Sequence, residues 1–206
     1  MKQKLISITL LICVIFILGI IIGNNLASSK EAKIEKFLRE SELATESYVM
    51  EQDFLKDAEE ICSGANVRLG ALGTELWKLG TLLQSDTAKK DLGDVKYALL
   101  KKKYHLLQIK EYILFSKLNR DCSLDGSVIL YYFSNNDGSL AQGKILDRLV
   151  AENNITVIAV EFGYAEELSF LENYYNITAA PTLIVDFDKK KEGLASYDSL
   201  KKILHS

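Results

Sequence analysis

Hydrophobic and polar positions divide the chain into three parts with different periods. From Leu5 to Gly23 the sequence is almost entirely apolar and has no charged residue in 19 positions. Between Ser29 and about Arg120, apolar residues recur at the three- and four-residue spacing of amphipathic helices. After Cys122, short apolar runs alternate with amphipathic stretches, a pattern typical of alternating strands and helices. The sequence therefore predicts an apolar first segment, a helical middle and an α/β C-terminal region.

The first segment predicts a retained transmembrane anchor at residues 5–23, after a short tail at 1–4. A helix of this length spans about 30 Å, which matches the hydrocarbon core of a bilayer. A cleaved signal peptide is the alternative, although its apolar region is usually shorter, about 7–15 residues. Gly19 and Gly23 form a GxxxG pattern, which is either a homodimer face or simply glycine in an apolar helix.

The orientation of the anchor in the membrane does not follow from the charge of its flanks, because lysines lie at both ends. It is predicted from two other features. The N-terminal end is similar to the n-region and h-region of a signal sequence. Asn154 and Asn176 each begin a glycosylation triplet, which is relevant in a glycosylating compartment. Both features favour a cytoplasmic N-terminus, with the bulk of the chain extracytoplasmic.

The middle, residues 29–121, predicts one helix followed by an antiparallel helical hairpin. The first arm carries a coiled-coil-like leucine seam, which is a second candidate homodimer surface and consists of Leu69, Leu72, Leu76, Leu79 and Leu83. Trp77 lies beside this seam and is interpreted as packing. The connection at 84–94 leads to a longer arm with a predicted stripe at Leu99, Leu106 and Ile113. Four further residues lie beside this stripe: Tyr97, Leu100, Tyr104 and Leu107.

Composition narrows the functional classes. The formal net charge is −3 and no basic block is interleaved with aromatic residues, so nucleic acid is a poor candidate partner. His105 has no ligand at metal spacing, and the run Lys101 to Lys103 is interpreted as a solvated helix face. The adjacent carboxylates, Glu59-Glu60 and Glu166-Glu167, point in different directions on a helix. We therefore predict no catalytic residue, no metal site and no cofactor.

Cysteine placement predicts a structural disulfide. Cys13 lies in the predicted anchor, while Cys62 precedes the first hairpin arm and Cys122 follows the second. An antiparallel hairpin brings these two ends towards each other, so a Cys62–Cys122 disulfide is expected in an oxidising compartment. The alternative is two buried free thiols in a reducing compartment.

The C-terminal region, residues 126–206, predicts an α/β sandwich with a parallel β-α-β unit followed by a helix, a hairpin and a last helix. In chain order, the predicted elements are strand 127–135, helix 139–154, strand 155–163, helix 165–175, strand 181–187, a turn at 188–193, a short strand near Leu194 and helix 196–204.

This order, together with the stretch "YNITAAPTLIVDF", resembles the thioredoxin-like superfamily. The matching positions are Tyr175, Ile177 and the Pro181-Thr182 pair before a core strand. The resemblance implies a cis Ala180–Pro181 bond and a groove beside it in which exposed backbone pairs with an extended peptide. A trans proline at the first residue of a strand is the alternative. The candidate groove residues are Ala180, Pro181, Asn136 and Asp137.

The chain departs from the family where the redox motif belongs. Family enzymes carry CxxC between the first strand and its helix, but residues 134–142 read "SNNDGSLAQ" and contain no cysteine. Since the thiolate is the reactive species, dithiol exchange by this loop is excluded. We therefore expect a membrane-anchored, non-catalytic module in an extracytoplasmic compartment, which binds a protein or extended peptide or acts as a scaffold. The alternative is a thiol–disulfide oxidoreductase or redox-partner protein that uses Cys62 and Cys122.

Overall fold

In the computed structural model, the chain divides into two compact units, Met1–Leu55 and Lys56–Ser206. The structure describes residues 15–19, 39, 62, 64–85, 87–122 and 126–204. Residues 15–19 and 39 are helical. Most of the predicted anchor and the predicted helix before Cys62 lie outside the described residues. Within the ranges that are described, no helix is long and apolar enough to cross a membrane.

Cys62 is helical, and three helices follow Gly64 in the described part of the second unit. They are α1 (Ala65–Leu83), α2 (Ala88–Leu92) and α3 (Asp94–Cys122). α1 packs along α3, and the connection that carries α2 reverses the chain between them, as the predicted hairpin requires. Two leucines of the predicted seam, Leu72 and Leu79, are buried within this chain.

Two side-chain predictions for the hairpin are wrong. In the predicted stripe on α3, Leu99 and Leu106 are exposed and only Ile113 packs against the core, whereas Leu100 and Leu107, predicted beside the stripe, are buried. Because α3 contacts both α1 and strands of the sheet, its buried arc is wider than a single stripe. Trp77, expected to pack, is 71% exposed.

The rest of the second unit is built around a four-stranded mixed sheet. Its strands are β1 (Ser127–Phe133), β2 (Ile155–Glu161), β3 (Thr182–Val185) and β4 (Lys189–Glu192), in the order β2-β1-β3-β4. β1 and β2 are parallel, with Ser127 opposite Ile155, while β3 runs antiparallel to both β1 and β4. α4 (Asp137–Glu152) connects the two parallel strands. The second unit is thus a mixed α/β structure, as predicted.

The segments after β2 differ from the prediction in two places. The expected helix at 165–175 is a 3-10 helix at Glu166–Leu168 followed by the short α5 (Phe170–Tyr174). The predicted turn at 188–193 is β4 itself, and the chain reverses instead at Asp186 and Phe187, where φ is 49° and 71°. Positive φ at two successive residues matches the primed turns that suit the twist of a hairpin. α6 (Tyr197–Leu204) ends the described chain.

Helices cover both faces of the sheet. On one face, residues of α4 and α6 share a core with β1 and β3: Leu146, Leu149, Leu200, Ile129, Leu183 and Val185. On the other face, residues of α3, the 3-10 helix and α5 share a core with β1, β2 and β3: Ile109, Tyr112, Leu168, Leu171, Leu130, Ile158 and Ile184. The helical hairpin therefore supplies one wall of the core of the sheet.

Polar contacts also join α3 to the segments around β2. Lys101 forms an ion pair with Glu161, and Lys102 pairs with Glu167 at 2.9 Å. The lysine run is thus partly used in contacts and is not simply solvated. His105 is buried, with its Nδ1 3.0 Å from Gln108 Oε1, and burial lowers its pKa.

Glu111 on α3 makes stability depend on pH. Burial raises the pKa of Glu111 from its ordinary value of 4.5 to about 7. The folded state therefore holds an extra proton between these values, and the free energy of unfolding falls as pH rises through that window. We expect Glu111→Gln to remove about 1–3 kcal/mol of this fall between pH 5 and pH 8, measured by urea denaturation.

The control for this experiment is Glu166→Gln, which neutralises an exposed carboxylate. Its pH profile should follow that of the unmodified chain. An identical pH slope in Glu111→Gln and the unmodified chain contradicts the prediction.

Candidate functional site

The predicted groove lies where β1 ends and β3 begins. The Ala180–Pro181 bond is cis, which confirms the expectation from the resemblance. Pro181 is buried, and its carbonyl accepts a hydrogen bond from the N–H of Gly193 at 2.8 Å. The Thr182 hydroxyl donates to the carbonyl of Ala179 at 2.7 Å. These bonds fix the backbone on both sides of the proline.

Asn136 organises the loop between β1 and α4. It has an extended backbone, with φ −140° and ψ 162°, and its side chain accepts a hydrogen bond from the N–H of Ser139 at 2.7 Å. Asn136 is therefore the N-cap of α4. Ser139, the first residue of the predicted helix, lies within the first turn of α4, and its hydroxyl accepts a hydrogen bond from the N–H of Ser134 at 3.1 Å.

The structure brings three of the four predicted groove residues together. The side-chain amide of Asn136 donates to the carbonyl of Ala180 at 3.2 Å. Gly138 lies against the proline, because a Cβ at this position would be 3.4 Å from Pro181 Cδ. Asp137 is exposed at the first turn of α4 and makes no described contact with Ala180 or Pro181.

The backbone of Ala180 remains open on one side. No described residue accepts a hydrogen bond from the N–H of Ala180. Its carbonyl, although bonded to Asn136, has a second lone pair. One donor and one acceptor position are thus offered on a half-buried, fixed segment, which is the geometry that an added extended chain requires.

Sequence reasoning missed two exposed leucines on the segments that are bonded to this backbone. Leu140 on α4 is 63% exposed, and Leu194 after β4 is 56% exposed. Leu194 lies between two anchored residues, since the N–H of Ala195 donates to Gln142 Oε1 at 2.7 Å and Gly193 is bonded to Pro181. The exposed leucines could have been suspected only from the topology, because each belongs to a different element.

The serine side chains of the loop are engaged in hydrogen bonds within it. The loop contains no cysteine, and its two serine hydroxyls both accept hydrogen bonds: Ser139 from the N–H of Ser134, and Ser134 from the side-chain amide of Asn136. Tyr131 donates to the carbonyl of Ser139 at 2.6 Å, and burial raises the pKa of Tyr131. Among the described residues, no group of His, Cys, Asp and Glu is placed to hold a metal ion. The arrangement is suited to binding through backbone and apolar contacts.

The predicted Cys62–Cys122 disulfide is confirmed, with a Cα–Cα distance of 5.5 Å. It joins the start of the hairpin to the end of α3, just before β1 begins. The groove lies where β1 ends, and seven strand residues separate these levels by about 20 Å along the strand. The disulfide therefore lies apart from the groove.

No protein-family model matches the chain, and no curated protein matches its sequence.

Substitutions of Asn136 test whether its side-chain hydrogen bonds stabilise the loop between β1 and α4. Asn136→Ala removes the N-cap and should lower the free energy of unfolding by about 1 kcal/mol. Asn136→Asp keeps the acceptor for the N–H of Ser139 but loses the donor to Ala180, so it should cost less. Chemical denaturation measures both, with the exposed neighbour Asn135→Ala as the control. Equal stability of Asn136→Ala and Asn135→Ala contradicts this account.

Proposed function

We propose that this chain is a membrane-anchored, non-catalytic thioredoxin-like protein that binds an extended segment of a partner protein. The thioredoxin-like assignment is supported by the strand order β2-β1-β3-β4 with a parallel β1-β2 pair. It is also supported by α4 and α6 on one face and α5 on the other, and by the cis bond before β3.

One observation carries the binding role. The fixed backbone of Ala180 offers an open N–H, and each of the two segments bonded to this stretch carries an exposed leucine. Leu140 follows the N-cap Asn136, which bonds to Ala180, and Leu194 follows Gly193, which bonds to Pro181. Backbone groups provide affinity for an extended chain of any sequence, while apolar contacts provide the burial that stabilises the complex. Because the site offers backbone and apolar contacts, retention and release of the partner are the activities it supports.

The anchor and the extracytoplasmic location belong to the same proposal. The uncharged run from Leu5 to Gly23 supports a single-pass anchor with a cytoplasmic N-terminus. The Cys62–Cys122 disulfide supports an oxidising compartment for the C-terminal unit. Asn154 and Asn176 are both exposed, as glycosylation acceptors must be.

The disulfide is assigned a structural role rather than thiol exchange. It closes the helical hairpin at a distance from the groove, and the groove is the place where a docked segment would lie. An insulin-reduction assay on the full-length chain should therefore show no turnover. Turnover that is lost in a folded Cys62→Ser variant would favour the oxidoreductase alternative.

Crosslinking capture from native membranes tests the binding role. We expect Ala180→Asp to abolish capture, because a carboxylate at the open backbone repels the partner's carbonyl groups and cannot be buried without cost. Leu194→Glu changes only an exposed side chain and should reduce capture with the fold intact. The control is Val67→Asp on α1, which is 76% exposed. Unchanged capture by both groove variants counts against this surface.

A further inference from the structure

A second concave surface lies on the opposite side of β1 from β3, at the outer edge of β2. It is a groove of about 350 Å³ between α1, α3 and β2. We call it the β2-edge groove, and its main lining residues are Leu76, Trp77, Tyr104, Glu111, Val157 and Ile158. None of these residues belongs to the surface around Pro181.

The β2 edge has unused backbone groups. β2 pairs only with β1 among the described strands, so half of its N–H and C=O groups lack a ladder partner. The opposite edge, β4, consists of Lys189–Glu192, and lysines on an edge strand discourage pairing. β2 has no charged residue before Glu161. Of the two edges, β2 is therefore the one suited to accept an added strand.

Glu111 gives the β2-edge groove a charge preference. Its carboxyl is half-buried and lines the groove. Burial raises its pKa to about 7, because the carboxylate loses hydration there. A cation placed beside it would offset that cost by charge attraction, which a neutral group does to a smaller extent and an acidic group does not.

Aromatic rings favour a planar cation. Trp77 is 71% exposed and lines the groove, although it neighbours a buried leucine seam. The ring of Tyr104 lies against α1 because position 80 is glycine, and a Cβ there would be 3.4 Å from Tyr104 Cε2. Guanidinium groups stack on aromatic faces and form forked hydrogen bonds with carboxylates, so arginine suits this combination better than lysine.

We propose that the β2-edge groove binds an extended, arginine-containing segment of a partner protein, whose backbone pairs with β2 and whose guanidinium contacts Glu111 beside Trp77 and Tyr104. This goes beyond the function proposed above and does not depend on it. β1 separates β2 from β3, so the two surfaces are about 10 Å apart across the sheet at their nearest strands.

Trp77 reports on this groove directly, because it is the only tryptophan in the chain. The probe is a nine-residue peptide of alternating valine and threonine with one central arginine, titrated into the full-length protein in detergent micelles. We expect a saturable change in Trp77 emission. Replacing the arginine with the neutral isostere citrulline should weaken binding at least tenfold. N-methylation of alternate peptide bonds should weaken it equally, since it blocks strand pairing.

Matched variants locate the binding. Glu111→Gln should weaken binding of the arginine peptide at least tenfold and leave the citrulline peptide unchanged. Gly73→Leu fills the groove from α1, where a Cβ meets no atom within 4 Å, and should abolish binding. The control is Gly70→Leu, which adds the same side chain on the same helix outside the groove, also in open space. Circular dichroism confirms that each variant is folded.

Four outcomes overturn the proposal. Binding that is unchanged in both Glu111→Gln and Gly73→Leu places the peptide elsewhere. Saturation by agmatine at the same concentration as the peptide assigns the groove to small free amines. A concentration-dependent change in Trp77 emission without peptide, with a doubled particle mass, assigns it to a second copy of the chain. No emission change and no peptide retention in equilibrium dialysis excludes the site.

Discussion

Cys62→Ser is expected to lower the free energy of unfolding by about 4 kcal/mol. The disulfide joins residues 60 positions apart, and opening a loop of that length restores chain entropy to the unfolded state. The bond also ties the end of α3 to the start of the hairpin, so its loss should expose both ends. Urea denaturation of the full-length chain, followed by far-UV circular dichroism, measures the change.

The matched control for this prediction is Cys13→Ser, because Cys13 is the one remaining cysteine of the sequence. It should leave the transition midpoint unchanged. Adding a reductant to the unmodified chain should reproduce the effect of Cys62→Ser, and adding it to that variant should do nothing further. A loss below 1 kcal/mol in Cys62→Ser would show that the hairpin is held by packing alone.

Ile109→Ala is expected to destabilise the hairpin and the sheet together, by about 2–5 kcal/mol. Ile109 is 1% exposed and lies in the core shared by α3 and the sheet. Its truncation removes buried methyl groups and leaves a cavity between these layers. Leu99→Ala, on the same helix but 51% exposed, is the control and should cost less than about 1 kcal/mol.

Native-state amide hydrogen exchange separates two explanations for the Ile109→Ala result. If α3 is part of the core of the sheet, protection should fall in α1 and in β1 by the same free energy. Loss of protection in α1 alone would mean that the helical hairpin unfolds independently of the sheet. That result would contradict the single second unit described above.

Several elements could be predicted from the sequence because one dominant pattern specifies each of them. β1 is a short, uncharged apolar run and β2 is apolar up to its last residue, Glu161; the sequence predicts both to within two residues of their start and end. The Cys62–Cys122 pair followed from the reversal of direction in a hairpin. The cis bond at Pro181 followed from a family resemblance, not from periodicity.

Other elements were missed because tertiary contacts decide them. β4 is "KKKE", which has no apolar alternation, and it is a strand because β3 provides its ladder partners. The buried face of α3 includes Leu100 and Leu107, which lie beside the predicted stripe, since the helix contacts both α1 and the sheet. The periodicity of apolar residues predicts the buried face of a helix well when one surface packs against the helix. It predicts that face poorly when two different surfaces do.

The residues of the candidate site also divide into those that the sequence predicts and those that only the fold reveals. Ala180, Pro181 and Asn136 were predicted together, and the 3.2 Å hydrogen bond from Asn136 to Ala180 joins them. Leu140 and Leu194 were missed because a single exposed leucine carries no signal in a sequence. They become informative only when the fold places their segments beside one fixed stretch of backbone.

Site-specific photocrosslinking in native membranes tests the central claim, that a partner segment binds around Ala180. A photoreactive benzophenone residue replaces Leu140 or Leu194 in the full-length chain, with replacement of the exposed Val67 as the control. The account predicts an adduct of the same mass from both groove positions, its loss when Ala180→Asp is added, and no such adduct from position 67. Adducts of equal yield from position 67, or adducts that persist with Ala180→Asp, would contradict it.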